Sequence, residues 1–255
     1  MLNVHAFGPA RAQQVLALHG VTAHGNRYRR FAGEGLPELR VLAPDLRGHG
    51  HSTWEPPWTV EQHVSDLLEL LDAEDAGRIP VVGHSMGGMI GLHLALAAPE
   101  RVARLVLLDP VLGVAGEEAF SMAESTRLDN GWTTEEEARA ERRSGHPESA
   151  YPSIDQDLAD VLSAGGDGLY RLRFCRSAAV CGWSEMARPV PDCSGLAVPT
   201  LVVIAIDDSF DKQPVLDALA AAPAPVTVER LDSGHMLYSD AFDETVSLVR
   251  GFIGA

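Results

Sequence analysis

Ser85 lies in Gly83-His84-Ser85-Met86-Gly87, a G-x-S-x-G run. A serine hydroxyl becomes a competent nucleophile when a neighbouring base takes its proton, and histidine is the commonest such base. His235, within Ser233-Gly234-His235-Met236, is expected on a loop from which it reaches across to Ser85. Asp208, the second residue of Asp207-Asp208, follows an apolar run. A buried carboxylate there would hold the imidazole in the right tautomer and stabilise the imidazolium. The chemistry these three types support is acyl transfer through a serine ester. Its tetrahedral intermediate needs hydrogen-bond donors. The backbone N–H groups of Val21, in the His19-Gly20-Val21-Thr22 turn, and of Met86 are the candidates. Each such donor is typically worth about 3–4 kcal/mol in the transition state.

The elements that must carry these residues follow from the patterning. Ile79 to Val82 is a short apolar strand, and Gly88 to Ala98 a small-residue helix that stops at Pro99. A strand, a sharp turn and a helix turn the G-x-S-x-G pattern into a nucleophile elbow. Gln14 to Leu18, Arg40 to Ala43, Leu105 to Leu108 and Leu201 to Ala205 read as further buried strands. Asn26 to Gly35 is a short helix candidate. Thr59 and Gln62 form a capping box ahead of Val64, Leu67, Leu68 and Leu71 at helical spacing. Val226 to Leu231 alternates as an edge strand does, and a last helix runs from about Asp243 to Ile253. Continuous apolar strands between helices imply an α/β fold with a mostly parallel twisted sheet flanked by helices.

The rhythm breaks after Asp109-Pro110. Residues 112–194 are richer in charge, aromatics and glycine, and are expected to form a mainly helical cap inserted into a core made of residues 1–111 and 195–255. Within it, Thr134 with Glu137 opens a charged helix through Arg143. Asp157 to Leu162 is a shorter helix, and another runs from Leu169 toward Cys175.

Composition narrows the function. The chain has 255 residues, 20 Lys plus Arg against 36 Asp plus Glu, and a formal net charge of −16. That balance repels phosphate backbones and anionic lipid, so neither nucleic acid nor a membrane is an expected partner. The three cysteines lack a metal or redox spacing, and the first residues lack a secretory pattern, so a cytoplasmic location is expected. No histidine pair has zinc-site spacing on a helix, and no G-x-G-x-x-G follows the first strand, so neither a metal nor another cofactor is expected. The sequence leaves room for a homo-oligomer.

Taken with Asp45-Leu46-Arg47-Gly48-His49-Gly50-His51-Ser52, these motifs make the chain resemble the α/β-hydrolase superfamily, in its cap-bearing branch of serine esterases and lactonases. The resemblance spans nearly the whole chain and is weakest in the cap. It implies an α/β-hydrolase fold and a triad of Ser85, Asp208 and His235 in that chain order. Members commonly carry a glycine three residues before the acid, where this chain has Ala205, so Asp207 stays open beside Asp208. Some relatives take the acid from the preceding strand, which keeps Asp109 open too. The expected substrate is a small, largely apolar carboxylic ester or lactone. Carbon–carbon hydrolysis of diketones by the same triad is an alternative, and so is a hydrolase-like ligand-binding protein. Ser85 argues against dehalogenase and epoxide hydrolase chemistry, which needs a carboxylate nucleophile. His24, Trp54, His84, Leu112, Phe210 and Met236 are the pocket candidates, while His19, His49 and His51 read as structural. Trp132, Tyr151, Tyr170, Phe174 and Trp183 read equally as pocket lining or as the cap's own small core.

Overall fold

The computed structural model describes residues 2–255. Its first half alternates strand and helix. β1 (Val4–Phe7), β2 (Gln14–Leu18) and β3 (Arg40–Pro44) precede α1 (Val60–Ala73). Then come β4 (Ile79–His84), α2 (Met86–Ala97) and β5 (Val102–Leu108). Next is an inserted run of α3 (Gly116–Leu128), α4 (Glu135–Arg143), α5 (Tyr151–Val161), β6 (Leu162–Ala164), β7 (Tyr170–Leu172) and α6 (Arg176–Met186). β8 (Thr200–Ala205), α7 (Gln213–Leu219), β9 (Val226–Leu231), α8 (Leu237–Asp240) and α9 (Phe242–Ile253) complete the chain.

Seven strands form one sheet in the order β1-β3-β2-β4-β5-β8-β9. All neighbours are parallel except the β1–β3 pair. Successive residues of a strand face opposite sides, so each central strand feeds two cores. Leu16, Leu18, Val81, Leu105 and Leu107 meet α1 and α2 on one face. Val15, Ala17, Val82, Val106 and Leu108 meet Tyr28, Phe31, Tyr238 and Val249 on the other. Each large apolar side chain buried this way contributes roughly 1.5–3 kcal/mol. Nearly every residue of α2 is buried, and its small side chains allow that close approach to the sheet. α1 starts where the capping box predicts, with Thr59 Oγ1 accepting from the Gln62 N–H at 3.3 Å.

Several elements depart from the sequence reading. β1 is an additional antiparallel edge strand. Gly25–Tyr28 is a 3₁₀ turn and Phe31–Gly35 a π turn rather than one helix. α5 is longer than expected, beginning at Tyr151. The stretch around Leu169 pairs as an antiparallel hairpin, β6 with β7, before α6 begins. No helix among the described residues is long and apolar enough to cross a membrane.

The inserted run rests on the site-bearing edge of the sheet. Backbone bonds from Cys175 N–H to Gly48 O (2.7 Å) and from Gly50 N–H to Arg173 O (3.0 Å) tie it to the Asp45–Ser52 turn. A Cβ on Gly182 would lie 3.0 Å from Met86 Sδ and 3.6 Å from a Val21 methyl. α6 therefore packs directly over both candidate oxyanion donors.

Candidate active site

Ser85 stands between the central strand β4 and α2 with φ 56° and ψ −122°. A left-handed φ is costly for a residue with a Cβ and persists only where the surroundings impose it. Here they do. A Cβ on Gly83 would lie 2.3 Å from Gly87 O, and one on Gly87 would lie 2.2 Å from Leu18 O. Only glycine on both sides lets the helix turn back so tightly against the strands. Among the described residues four non-glycines have positive φ, and three of them, Thr22, Ser85 and Asp109, surround this site.

His19 shapes the opposing loop. Its Nε2 accepts from the Leu46 N–H at 2.9 Å, so its Nδ1 carries the proton and donates to Gly20 O at 2.7 Å. Burial, reinforced by the nearby His49, holds the His19 ring well below the ordinary histidine value and therefore neutral. In a trans peptide the C=O and the following N–H point oppositely. With Gly20 O turned toward His19, the Val21 N–H faces away from that ring. A Cβ on Gly20 would come within 3.0 Å of Ser85 Cβ, so the loop passes directly over the serine. Met86 opens α2 and its N–H has no intrahelical acceptor.

His235 lies on the loop after β9. Its Nδ1 donates to Asp109 Oδ2 at 2.5 Å, which leaves the Nε2 lone pair free to take a proton. Asp109 is fully buried at the end of β5. Its other oxygen accepts from the Ala205 N–H at 3.1 Å. Asp208 Oδ2 is 3.6 Å from the same Nδ1 and instead accepts from Lys212 Nζ at 2.6 Å. Lys212 also lies 3.1 Å from Asp109 Oδ2. The order of preference between the two acids is thus reversed from the sequence reading. Asp109 takes the imidazole bond, and Asp208 is turned toward the lysine. Asp207 is exposed, with its N–H bonded to Ser233 O. Burial disfavours a charged His235, but its bonds to Asp109 and Asp208 and their charges outweigh that and raise its pKa above the ordinary value. Burial also opposes ionisation of Asp208, yet His235, Asp109 and Lys212 hold it far below the usual carboxylate range. Ligating atoms of Asp109, Asp208 and His235 lie within 4.8 Å of one another, a spacing a cation could use. The Lys212 ammonium already supplies a positive charge at both carboxylates.

The other predicted residues separate into two groups. His84 donates its Nε2–H to His235 O at 2.8 Å and lies 4.6 Å, ring to ring, from His235, so it braces the loop that carries His235. Phe210 lies 6.0 Å from the His235 ring and 6.1 Å from Trp183 of α6. Met236 lines a small cavity with Tyr238. Farther away, Trp54 is 42% exposed beneath Arg173. Leu112 is buried beside Met89 and Pro189 behind α2. His24 is committed to Asp157 of α5 at 2.6 Å, beside the Arg27–Asp157 ion pair. Lys212 was missed, because it sits in no recognisable motif.

A family model for the alpha/beta hydrolase family matches residues 15–248. The chain belongs to that family. It is 36% identical over 257 residues to lipase LipV of Mycobacterium tuberculosis, covering 99% of this chain and 98% of that protein. It is 34% identical over 128 residues to a putative 2-succinyl-6-hydroxy-2,4-cyclohexadiene-1-carboxylate synthase of Bacillus subtilis, covering 48% of this chain and 46% of that one. The solved E-2-(acetamidomethylene)succinate hydrolase superposes with a TM-score of 0.87 at 19% identity, covering 100% of this chain and 95% of the other. At that identity the likeness concerns the fold alone.

Proposed function

We propose that this hydrolase is a serine esterase in which Ser85, His235 and Asp109 form the triad. The observation that carries the reading is the 2.5 Å bond from His235 Nδ1 to the fully buried Asp109, in a chain whose elbow holds Ser85 at positive φ. The likeness to a lipase over nearly the whole chain supports an ester as the substrate.

His235 Nε2 takes the proton from Ser85 Oγ as that oxygen bonds to the ester carbonyl carbon. The carbonyl oxygen becomes an oxyanion held by the Val21 and Met86 N–H groups. Asp109 stabilises the imidazolium that forms. His235 passes its proton to the leaving alkoxide, and the C–O bond breaks. Water then attacks the acyl-serine with His235 again as base, releasing acid and free Ser85. The chain's own groups supply every proton transfer and the only charge stabilisation required. α6 over the two donors acts as a lid that excludes water.

Hydrolysis of p-nitrophenyl esters of increasing chain length, run beside Ser85→Ala, tests this. Turnover that depends on Ser85 is expected. Equal turnover in the Ser85→Ala protein would overturn the mechanism.

A further inference from the structure

Arg142 stands out at the end of α4. That helix carries three arginines that could pair. Arg139 and Arg143 both bind Asp155, Arg139 at 3.0 Å. Arg142 turns the other way and, among the described residues, makes no hydrogen bond or ion pair. It forms part of the wall of two cavities. One is a cleft of about 570 Å³ whose walls include Thr22, Phe174 and Trp183. The other is the small cavity shared with Met236 and Tyr238. Arg142 is half-buried, and a guanidinium that gives up part of its hydration is ordinarily paired in return.

The acids nearby are already engaged. Asp157 accepts two bonds from Arg27, at 3.0 and 2.6 Å, and one from His24. Glu141 is exposed and accepts from Trp132 Nε1 at 2.8 Å. Asp129 is exposed and accepts from the Gly131 N–H at 2.7 Å. Burial, with the like charge of Arg27 next to it, lowers the Arg142 pKa, but the group keeps its proton. In a chain of net charge −16, this leaves a cation with no hydrogen-bonded acid at the wall of a cleft.

Two wall residues of this cleft, Thr22 and Trp183, adjoin the residues around Ser85. Thr22 follows Val21 directly. Trp183 follows Gly182, where an added Cβ would lie 3.0 Å from Met86 Sδ, and its ring lies 6.1 Å from that of Phe210, itself 6.0 Å from the His235 ring.

We propose that Arg142 anchors a carboxylate on the acyl part of the substrate, so that the preferred ester is a half-ester of a dicarboxylic acid. This rests on the serine-esterase reading of the same site. A planar guanidinium pairs with a carboxylate through two parallel bonds. A single free cation beside Glu141 and Asp129 suits a monoanion better than a phosphate dianion, which those two acids would repel.

The test separates binding from turnover. Ser85→Ala protein is titrated by calorimetry with the monomethyl and dimethyl esters of succinic, glutaric and adipic acids. At least one monoester is expected to bind tenfold or more tightly than its diester. Arg142→Met should abolish that preference, and Arg142→Lys should keep part of it. Unchanged thermal unfolding of both variants certifies their fold, and Arg142→Gln serves if Arg142→Met does not fold. Equal binding of monoester and diester throughout, no binding of any monoester, or a preference that survives Arg142→Met would overturn the assignment. Absence of Ser85-dependent turnover of the same esters would instead count against the esterase reading, whatever the titration gives.

Discussion

His235 and Asp109 are joined by a 2.5 Å hydrogen bond between residues 126 apart in sequence, and Asp208 Oδ2 stands 3.6 Å from the same ring nitrogen. The His235 ring is held from the end of β5, while the carboxylate after β8 is bonded to Lys212. Because β5 and β8 are neighbouring parallel strands, their carboxyl ends bring both acids to one place.

The two acids should therefore differ sharply in mutant kinetics. Asp109→Asn is expected to lower kcat by about 10⁴-fold, the loss typical when the imidazole is no longer held in its working tautomer. Asp208→Asn should cost about tenfold or less, since it leaves that bond in place. Single-turnover acylation of both variants checks this. A larger loss from Asp208→Asn would make Asp208 the orienting acid.

The pH dependence of kcat/KM should follow His235. The base works only when neutral, and its pKa is raised above the ordinary 6.5 by the two carboxylates. Activity should thus rise with pH through an apparent pKa above 6.5 and level off on the alkaline side. Lys212→Met removes the cation that offsets those carboxylates, 2.6 Å from Asp208 and 3.1 Å from Asp109. Its acidic limb should move to still higher pH. A limb that stays in place or moves downward would show that Lys212 does not act on the base electrostatically.

Gly20→Ala probes the loop over the nucleophile. The added methyl would lie 3.0 Å from Ser85 Cβ and 3.3 Å from His84 Nδ1. The loop must shift and carry the Val21 N–H with it. Loss of one oxyanion donor typically costs 10²–10³-fold in kcat, so a fall of about that size is expected with KM little changed. Comparable thermal unfolding of the variant and wild type would assign the loss to the site rather than to the fold. Wild-type kcat in this variant would remove Val21 from the oxyanion hole.

Acid should destabilise the protein before its carboxylates titrate. His49 and His63 are buried and their pKa values fall to about 4 because burial penalises the cation. His19 and His84 are likewise held well below the ordinary histidine value, mainly by burial. A histidine depressed in the fold takes up its proton more readily when unfolded. Its contribution is complete above pH 6.5 and is lost as pH falls from there toward the folded value. For His49 or His63 the loss is about 3 kcal/mol each. Tm is expected to drop steadily between pH 6.5 and 4, and a flat Tm over that window would contradict the neutral assignments.

How much of this could be read beforehand follows from range. The Ser85 elbow was legible because its strain is local. Gly83 and Gly87 are needed by atoms of the same turn and of the adjacent β2, and the strand-turn-helix pattern brings them there. The N-caps at Thr59 and Thr134 were legible for the same reason, since each hydroxyl accepts from an N–H three residues on, although the reciprocal half of the capping box is not formed at either. The central strands were evident as buried apolar runs. β1 was not, because a four-residue antiparallel edge strand that is mostly half-buried carries little periodic signal. The β6–β7 hairpin has three residues a strand and was hidden likewise.

By itself, then, the sequence determined the strained elbow at Ser85 and the parallel sheet beneath it, and pointed to His235 and the loop carrying Val21 as candidates, because short-range sterics and apolar runs encode these elements. Tertiary structure alone decided which carboxylate meets His235. Asp109 directly follows β5 and Asp208 lies three residues past the neighbouring β8, and the choice depends on the left-handed turn at Asp109 and on a lysine four residues beyond Asp208. It also decided that Arg142 stays unpaired while Arg139 and Arg143 share Asp155. Which of three neighbouring arginines finds an acid depends on the direction in which α4 faces the core, and that is set by packing between segments far apart in the chain.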